Sequence, residues 1–219
     1  MDTYLVRVWL PDRPGALGQV ASRIGSVRGD VVGIDILETG EGQAVDELVV
    51  QLPGPEVVDL LVHEVSQVDG VKVEEVKPLG SAGHDPRLDA LETAAILVES
   101  SSLAELLDSV CEHAGRSLGA SWVAVLDVTT GAPHVATSTA PSPEWLHAFL
   151  VGSHSAANLS GLDSHTHAGC SDVAWAPLAG MGAALLVGRD ATSYRARERR
   201  QLAALARIVD ARLCQIAAQ

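Results

Sequence analysis

The sequence predicts an α+β protein of two modules, each built around an antiparallel sheet. Three observations carry this. Residues 4–76 alternate between period-two and helical apolar patterns in the order β-α-β-β-α-β. Residues 77–86, Lys-Pro-Leu-Gly-Ser-Ala-Gly-His-Asp-Pro, have no apolar period and are rich in Gly, Pro and small residues. Residues 88–217 open and close with helical stripes that bracket several strand patterns. A length of 219 residues suits two small domains. The expected bounds are 1–79 for the first, 80–87 for the linker and 88–219 for the second.

In the first module, Tyr4, Val6, Val8 and Leu10 share one face of a strand and Leu5, Arg7 and Trp9 the other. Pro11-Asp12-Arg13-Pro14-Gly15 turns the chain, and Leu17, Val20, Ala21, Ile24 and Val27 follow at helical spacing. Arg28-Gly29-Asp30 stops that helix. A second strand, 31–37, places Val32, Ile34 and Ile36 on one face. Thr39-Gly40-Glu41-Gly42 is a hairpin-type turn, and 44–52 is the third strand. Pro55 suits the first turn of a helix carrying Val57, Val58, Leu61, Val62 and Val65. Asp69-Gly70 leads into a last strand, 71–76. The order is the ferredoxin-like split βαβ sandwich, with helices on one face of a four-stranded sheet. Asp46-Glu47 and Glu74-Glu75 are expected on exposed strand faces. Trp9, opposite the helices, reads either as a contact with the second domain or a partner or as an edge-exposed Trp with no partner.

The turn Asp12-Arg13-Pro14-Gly15-Ala16-Leu17 joins a strand to a helix N-terminus, whose unpaired N–H groups are a seat for a carboxylate. In this topology the segment resembles the first turn of ACT domains, regulatory modules that bind amino acids. Gly29-Asp30-Val31-Val32-Gly33-Ile34-Asp35 resembles the same family's second-strand segment. The resemblance covers nearly all of residues 4–78. It implies a ligand site lined by Asp12, Arg13, Pro14, Gly15, Ala16, Leu17, Asp30, Val31 and Val32, with Asp30 or a partner-chain group near the ligand ammonium. It also implies a homodimer or higher homo-oligomer with the ligand at its interface. Where family members often carry Asn, this chain has Asp30-Val31. Asp12 and Gly15 also have plain structural readings, as a helix cap and a tight turn.

In the second module, Leu88, Leu91, Ala95 and Val98 mark one helix. Ser102-Leu103-Ala104-Glu105 has the form of a capping box opening another, to Leu118. Strands are expected at 122–128 and 134–139, a short helix from Ser142-Pro143 to Leu150, a long loop over 152–171, strands at 172–178 and 183–189, and a final helix over about 195–217. The layout, and above all Ala174–Leu178, Ala184–Arg189 and the helix after Tyr194, resembles a GAF/PAS-like α/β sandwich with a central antiparallel sheet. GAF domains sense small molecules, and many serve only to dimerise. Residues 88–217 carry this resemblance.

Apolar residues make up 47% of the chain and aromatics 3%, so the cores are aliphatic. Net charge is −13, with 14 acidic against six basic residues in 1–84 and 14 against nine beyond. That field disfavours nucleic acid and anionic membrane. No apolar run reaches membrane length and no secretory signal pattern opens the chain, so a cytoplasmic protein is expected. Cys111, Cys170 and Cys214 imply no disulfide framework. Cys111 and Cys214 fall on or beside apolar stripes and are expected buried. His154, His165, His167 and Cys170 gather in the expected loop, which leaves a thiol or metal enzyme centred on Cys170 as an alternative. Arg195, Arg197, Arg199 and Arg200 read as a solvated, salt-bridged helix face. No Gly-rich phosphate loop or Gly-x-Ser-x-Gly elbow is present.

The expected protein is therefore a non-catalytic regulator without cofactor or resident metal. It binds an amino acid at an ACT-like dimer interface and signals through a partner protein. A ligand-free assembly module is the main alternative, because Val31 offers no polar contact.

Overall fold

The computed structural model describes residues 1–79, 86–160, 172–190 and 192–218, with side chains at 86–87 and 154–160 outside the description. The chain divides into two compact units, Met1–His84 and Asp85–Gln219. The expected linker falls almost wholly outside the described residues. Among the described residues no helix is long and apolar enough to cross a membrane.

Unit 1 runs β1 (Asp2–Pro11), α1 (Ala16–Ser26), β2 (Asp30–Gly40), β3 (Gln43–Leu52), a 3-10 turn Pro55–Val57, α2 (Val58–Ser66) and β4 (Lys72–Leu79). The sheet order is β2-β3-β1-β4 with every neighbour antiparallel. That is the ferredoxin-like arrangement the patterning predicts. Tyr4, Val6, Val8 and Leu10 of β1 meet Leu48, Val50 and Leu52 of β3, under Ala16, Val20 and Ile24 of α1 and Leu61 and Val65 of α2. Spacing of four along each helix keeps these residues on one stripe, and each large side chain taken from water contributes about 1.5–3 kcal/mol.

Three local features depart from the expectation. β4 extends through Lys77-Pro78-Leu79, which pair with Leu5, Tyr4 and Thr3. The proline is tolerated because β4 is an edge strand and needs no outward N–H bond there. β2 carries register shifts between Val31 and Gly33 and between Ile36 and Glu38. The first shift breaks the expected shared face: Val31 opposes Val50 and Ile34 and Ile36 oppose Leu48 and Asp46, while Val32 is skipped in the pairing and does not line up with the two isoleucines. Ile34 and Ile36 are still 47% and 52% exposed, because β2 forms the other edge. Asp46 is not on an exposed face: it sits at 3% exposure on the helix-covered side, between Ala44 and Leu48. Glu47, on the opposite side, accepts from Arg7 Nε at 3.0 Å.

Unit 2 runs α3 (Pro86–Glu99), α4 (Leu103–Ser117), β5 (Trp122–Asp127), β6 (Pro133–Ala136), α5 (Pro143–Ser160), β7 (Val173–Leu178), a 3-10 turn Ala179–Met181, β8 (Ala183–Gly188) and α6 (Ala196–Ala217). Its antiparallel sheet has the order β6-β5-β8-β7. Alternation splits the strands between two cores. Val123, Val125, Ala176, Leu185 and Val187 pack with Leu97, Leu106, Val110, Leu202 and Val209 from α3, α4 and α6. Ala124, Leu126, Trp175 and Leu186 pack with Leu146 and Leu150 of α5. The result is a helix–sheet–helix sandwich. Ser102 caps α4 by accepting from the Glu105 N–H at 3.2 Å, while Glu105 accepts from the Ser101 N–H at 2.7 Å. α5 continues to Ser160, ten residues past its expected end, so residues 152–160 are helix rather than loop.

Candidate functional site

The turn after β1 is set by two backbone features. Asp12 N–H donates to the Gly42 carbonyl at 2.9 Å, continuing the β1–β3 ladder by one step. Gly15 then adopts φ +88° and acts as the N-cap of α1, with no side chain capping the helix. An added Cβ there would meet nothing within 4 Å, so the dihedral itself calls for glycine. The structural reading of Asp12 as the helix cap is thus corrected: Gly15 takes that place. Asp12, Arg13, Pro14 and Gly15 are exposed, Leu17 is half-buried and Ala16 is buried. Ala16 N–H donates to the Arg13 carbonyl at 3.2 Å and Gln19 N–H to the Gly15 carbonyl at 3.1 Å. Between them, the Leu17 and Gly18 N–H groups belong to the first turn, which has no intrahelical acceptor to offer. They lie at the positive end of an 11-residue helix, a seat for an anion.

Asp30, Val31 and Val32 are elsewhere. Asp30 pairs with Gln51, which pairs with Thr3 near the start of β1. The turn follows the end of β1, nine residues on, so the two groups stand about 30 Å apart along the sheet. The structure brings Asp12, Arg13, Pro14, Gly15, Ala16 and Leu17 together and sets Asp30, Val31 and Val32 at the opposite end of the same unit. Asp30 and Val32 are exposed and Val31 is half-buried.

What the turn does have near it is Asp46. β3 carries it opposite Val8 of β1 and Ile36 of β2. Its Oδ1 is buried and has no hydrogen-bond partner among the described residues. Burial, and then the charge of Asp12, push its carboxyl above the ordinary value of 3.8. Patterning missed this residue because Asp46-Glu47 looks like any polar pair on a strand. The readable signal was parity: 44, 46, 48, 50 and 52 share one face, and Asp46 is its one charged member.

Trp9 is half-buried on the face opposite the helices and donates to Glu74 Oε1 at 3.2 Å. In unit 2, Cys111 is buried and burial raises its thiol to about 11, a setting for an inert cysteine. Cys214 is exposed, not buried, because it lies off the inward stripe near the end of α6. The arginine-rich start of α6 is organised around a different residue. Glu198 is buried and receives Arg189 Nη1 at 2.6 Å and Nη2 at 3.0 Å. Arg189 also donates to the carbonyls of Leu118, Thr192 and Ser193 and stacks over the Tyr194 ring at 4.0 Å. Among the described residues no group of three or more His, Cys, Asp and Glu could hold a metal. The His165, His167 and Cys170 positions, and the His154 side chain, lie outside the described residues.

No family model matches the chain, and no curated protein matches it. Among solved structures it is similar to the ACT domain from the GTP pyrophosphokinase of Chlorobium tepidum, at 19% identity over 36% of this chain and 100% of that one, TM-score 0.29. It is similar to an ACT domain protein from Streptococcus pneumoniae, at 16% identity over 38% and 98%, TM-score 0.31. It is also similar to the C-terminal domain of the MgtC protein from Mycobacterium tuberculosis, at 20% identity over 39% and 95%, TM-score 0.30. Each likeness covers little more than a third of the chain, and the fold of unit 1 rests on its own strand order.

Proposed function

We propose that unit 1 is a non-catalytic regulatory module that binds an amino acid at an ACT-like interface between two copies of the chain. The ligand carboxylate sits on the N–H groups at the head of α1. A second copy closes the site with the start of its own β2, since one chain holds these segments at opposite ends of its sheet. Unit 2, a GAF-like sandwich in this reading, senses a second ligand or relays the change to a regulated protein partner. Ligand binding shifts the population of the two-chain assembly by its differential affinity and no more.

The observation that carries this reading is the Gly15 turn: an exposed helix N-terminus held open by a left-handed glycine with no side-chain cap of its own. A thermal-shift panel of the twenty amino acids on the whole chain tests it. A ligand that binds only the folded state adds about 2.7 kcal/mol at a hundredfold excess over Kd. The expected result is a rise in midpoint with one or a few amino acids, lost in Gly15→Val. Silence across the panel at millimolar concentration overturns it.

The half-exposed pair Ile34 and Ile36 on an edge strand favours a second reading, a ligand-free assembly module. A stable dimer that answers to no amino acid selects that one.

A further inference from the structure

We propose that Asp46 is the group in unit 1 that receives the ligand's ammonium, so that the helix-covered end of β3, and not Asp30, is the cation-accepting half of the site. This rests on the amino-acid reading of the Gly15 turn and names, within the same chain, the group that takes the ammonium, while the second copy's β2 still closes the site.

The case begins with an unmet demand. Asp46 is 97% withdrawn from solvent on a face otherwise built from Val8, Leu10, Ala44, Leu48 and Val50. A buried carboxylate oxygen without a donor is costly and rare in folded proteins. Among the described residues, neighbouring charge does not relieve it. Asp12, whose field reaches it, has the same sign. Arg7, one residue before its cross-strand partner Val8, belongs to the other face and is bound to Glu47. Oδ1 therefore awaits either a proton or a cation that donates hydrogen bonds.

Position selects the ammonium. Asp46 lies on the side of the sheet that α1 covers, and toward the end where α1 begins: β3 runs from the Gly42 hairpin that holds Asp12, through Ala44, to Asp46. The side chains on the turn's side of it within the core include two small ones, Ala44 of β3 and Ala16 at the head of α1. An α-amino acid carries its carboxylate and its ammonium on one carbon. A helix N-terminus and a buried carboxylate at the same end of one unit offer the matching pair of charges. Asp12, exposed at the rim, adds its negative charge to the approach. Asp30, about 30 Å along the sheet, can reach the same ligand only from another chain.

The test uses the whole chain and isothermal titration with the twenty amino acids, each paired with its deamino acid: alanine with propionate, phenylalanine with 3-phenylpropionate, and so on. The wild type is expected to prefer the amino acid that binds over its deamino partner by about tenfold or more, the weight of one charge-assisted hydrogen bond. Asp46→Asn is expected to cut that preference to about twofold or less while raising the melting midpoint, and Asp30→Asn to leave it unchanged. Asp46→Ser gives the same readout should the amide pack poorly. A preference that survives both Asp46 variants, or one that Asp30→Asn alone removes, overturns the assignment and leaves the proposed function standing. A wild type that binds none of the amino acids overturns the proposed function and this assignment with it.

Discussion

Asp12 and Asp30 occupy opposite ends of one antiparallel sheet, with Asp12 just past the end of β1 and Asp30 in register with Thr3 near its start. A site that uses both must be built by two chains. Gly15→Val removes the seat of the carboxylate, and Asp30→Lys puts a long cationic side chain on the β2 segment with which the second copy closes the site, so each should lose ligand when pure. Mixed in equal amounts and allowed to exchange, they should recover about a quarter of the wild-type sites, because only one of the two sites in each mixed dimer is intact. Titration of the mixture measures this, and full absence of recovery argues for a site closed within one chain.

Gly15 and Gly29 should fail in different ways. At Gly15 the φ of +88° is the whole cost of adding a side chain, so Gly15→Ala should lower stability by about 1 kcal/mol. At Gly29 a Cβ would stand 2.9 Å from Ile24 Cγ2, 3.0 Å from Leu52 Cδ2 and 3.1 Å from the Ile24 carbonyl. Gly29→Ala must therefore displace the end of α1, and a loss of about 1–3 kcal/mol is expected. Urea unfolding of the two variants compares them directly.

Asp46 gives a pH signature. Its carboxyl is raised above 3.8 in the folded state, so folding holds its proton more tightly than the unfolded chain does. Below the ordinary value both states are protonated and the group costs little. As pH rises through the window above 3.8 the folded state is progressively penalised. Asp46→Asn should then be more stable than wild type at neutral pH, with the gain shrinking as pH falls toward and below 3.8. Denaturant melts at several pH values read this out; a gain independent of pH contradicts it.

Arg189 and Glu198 form the deepest ion pair described in unit 2, with side chains at 4% and 9% exposure. Removing either one strands the other. Arg189→Met and Glu198→Gln should each cost about 3–5 kcal/mol, and the double replacement less than the two combined. The loss should also loosen the head of α6, since Glu198 accepts from the Arg195 N–H at 2.7 Å. Chemical denaturation of the three variants completes the cycle.

The two described cysteines should separate cleanly. Cys214 is exposed and should alkylate in the folded protein. Cys111, buried and with its thiol raised to about 11, should react only when the chain unfolds. Mass spectrometry after iodoacetamide with and without denaturant checks both, and reports Cys170 in the same experiment.

Local patterning determined most of the fold. Period-two runs such as Tyr4–Leu10 and spacing-four stripes such as Ala16, Val20 and Ile24 are fixed by which side chains must leave water together. The order of elements, the Gly15 turn and the Ser102 cap were legible for the same reason: each depends on neighbours in sequence. Tertiary structure decided what depends on distant neighbours. Whether a proline ends a strand turns on whether that strand is an edge, and Pro78 continues β4 because it is. Whether Ile34 and Ile36 are core turns on whether anything lies beyond β2. For the site, the sequence determined the turn, while the sheet order decided that Asp30 lies at the far end and that Asp46, on the same face as Val8, lies at the near one. Strand pairing converts separation along the chain into separation in space, and no local pattern encodes that conversion.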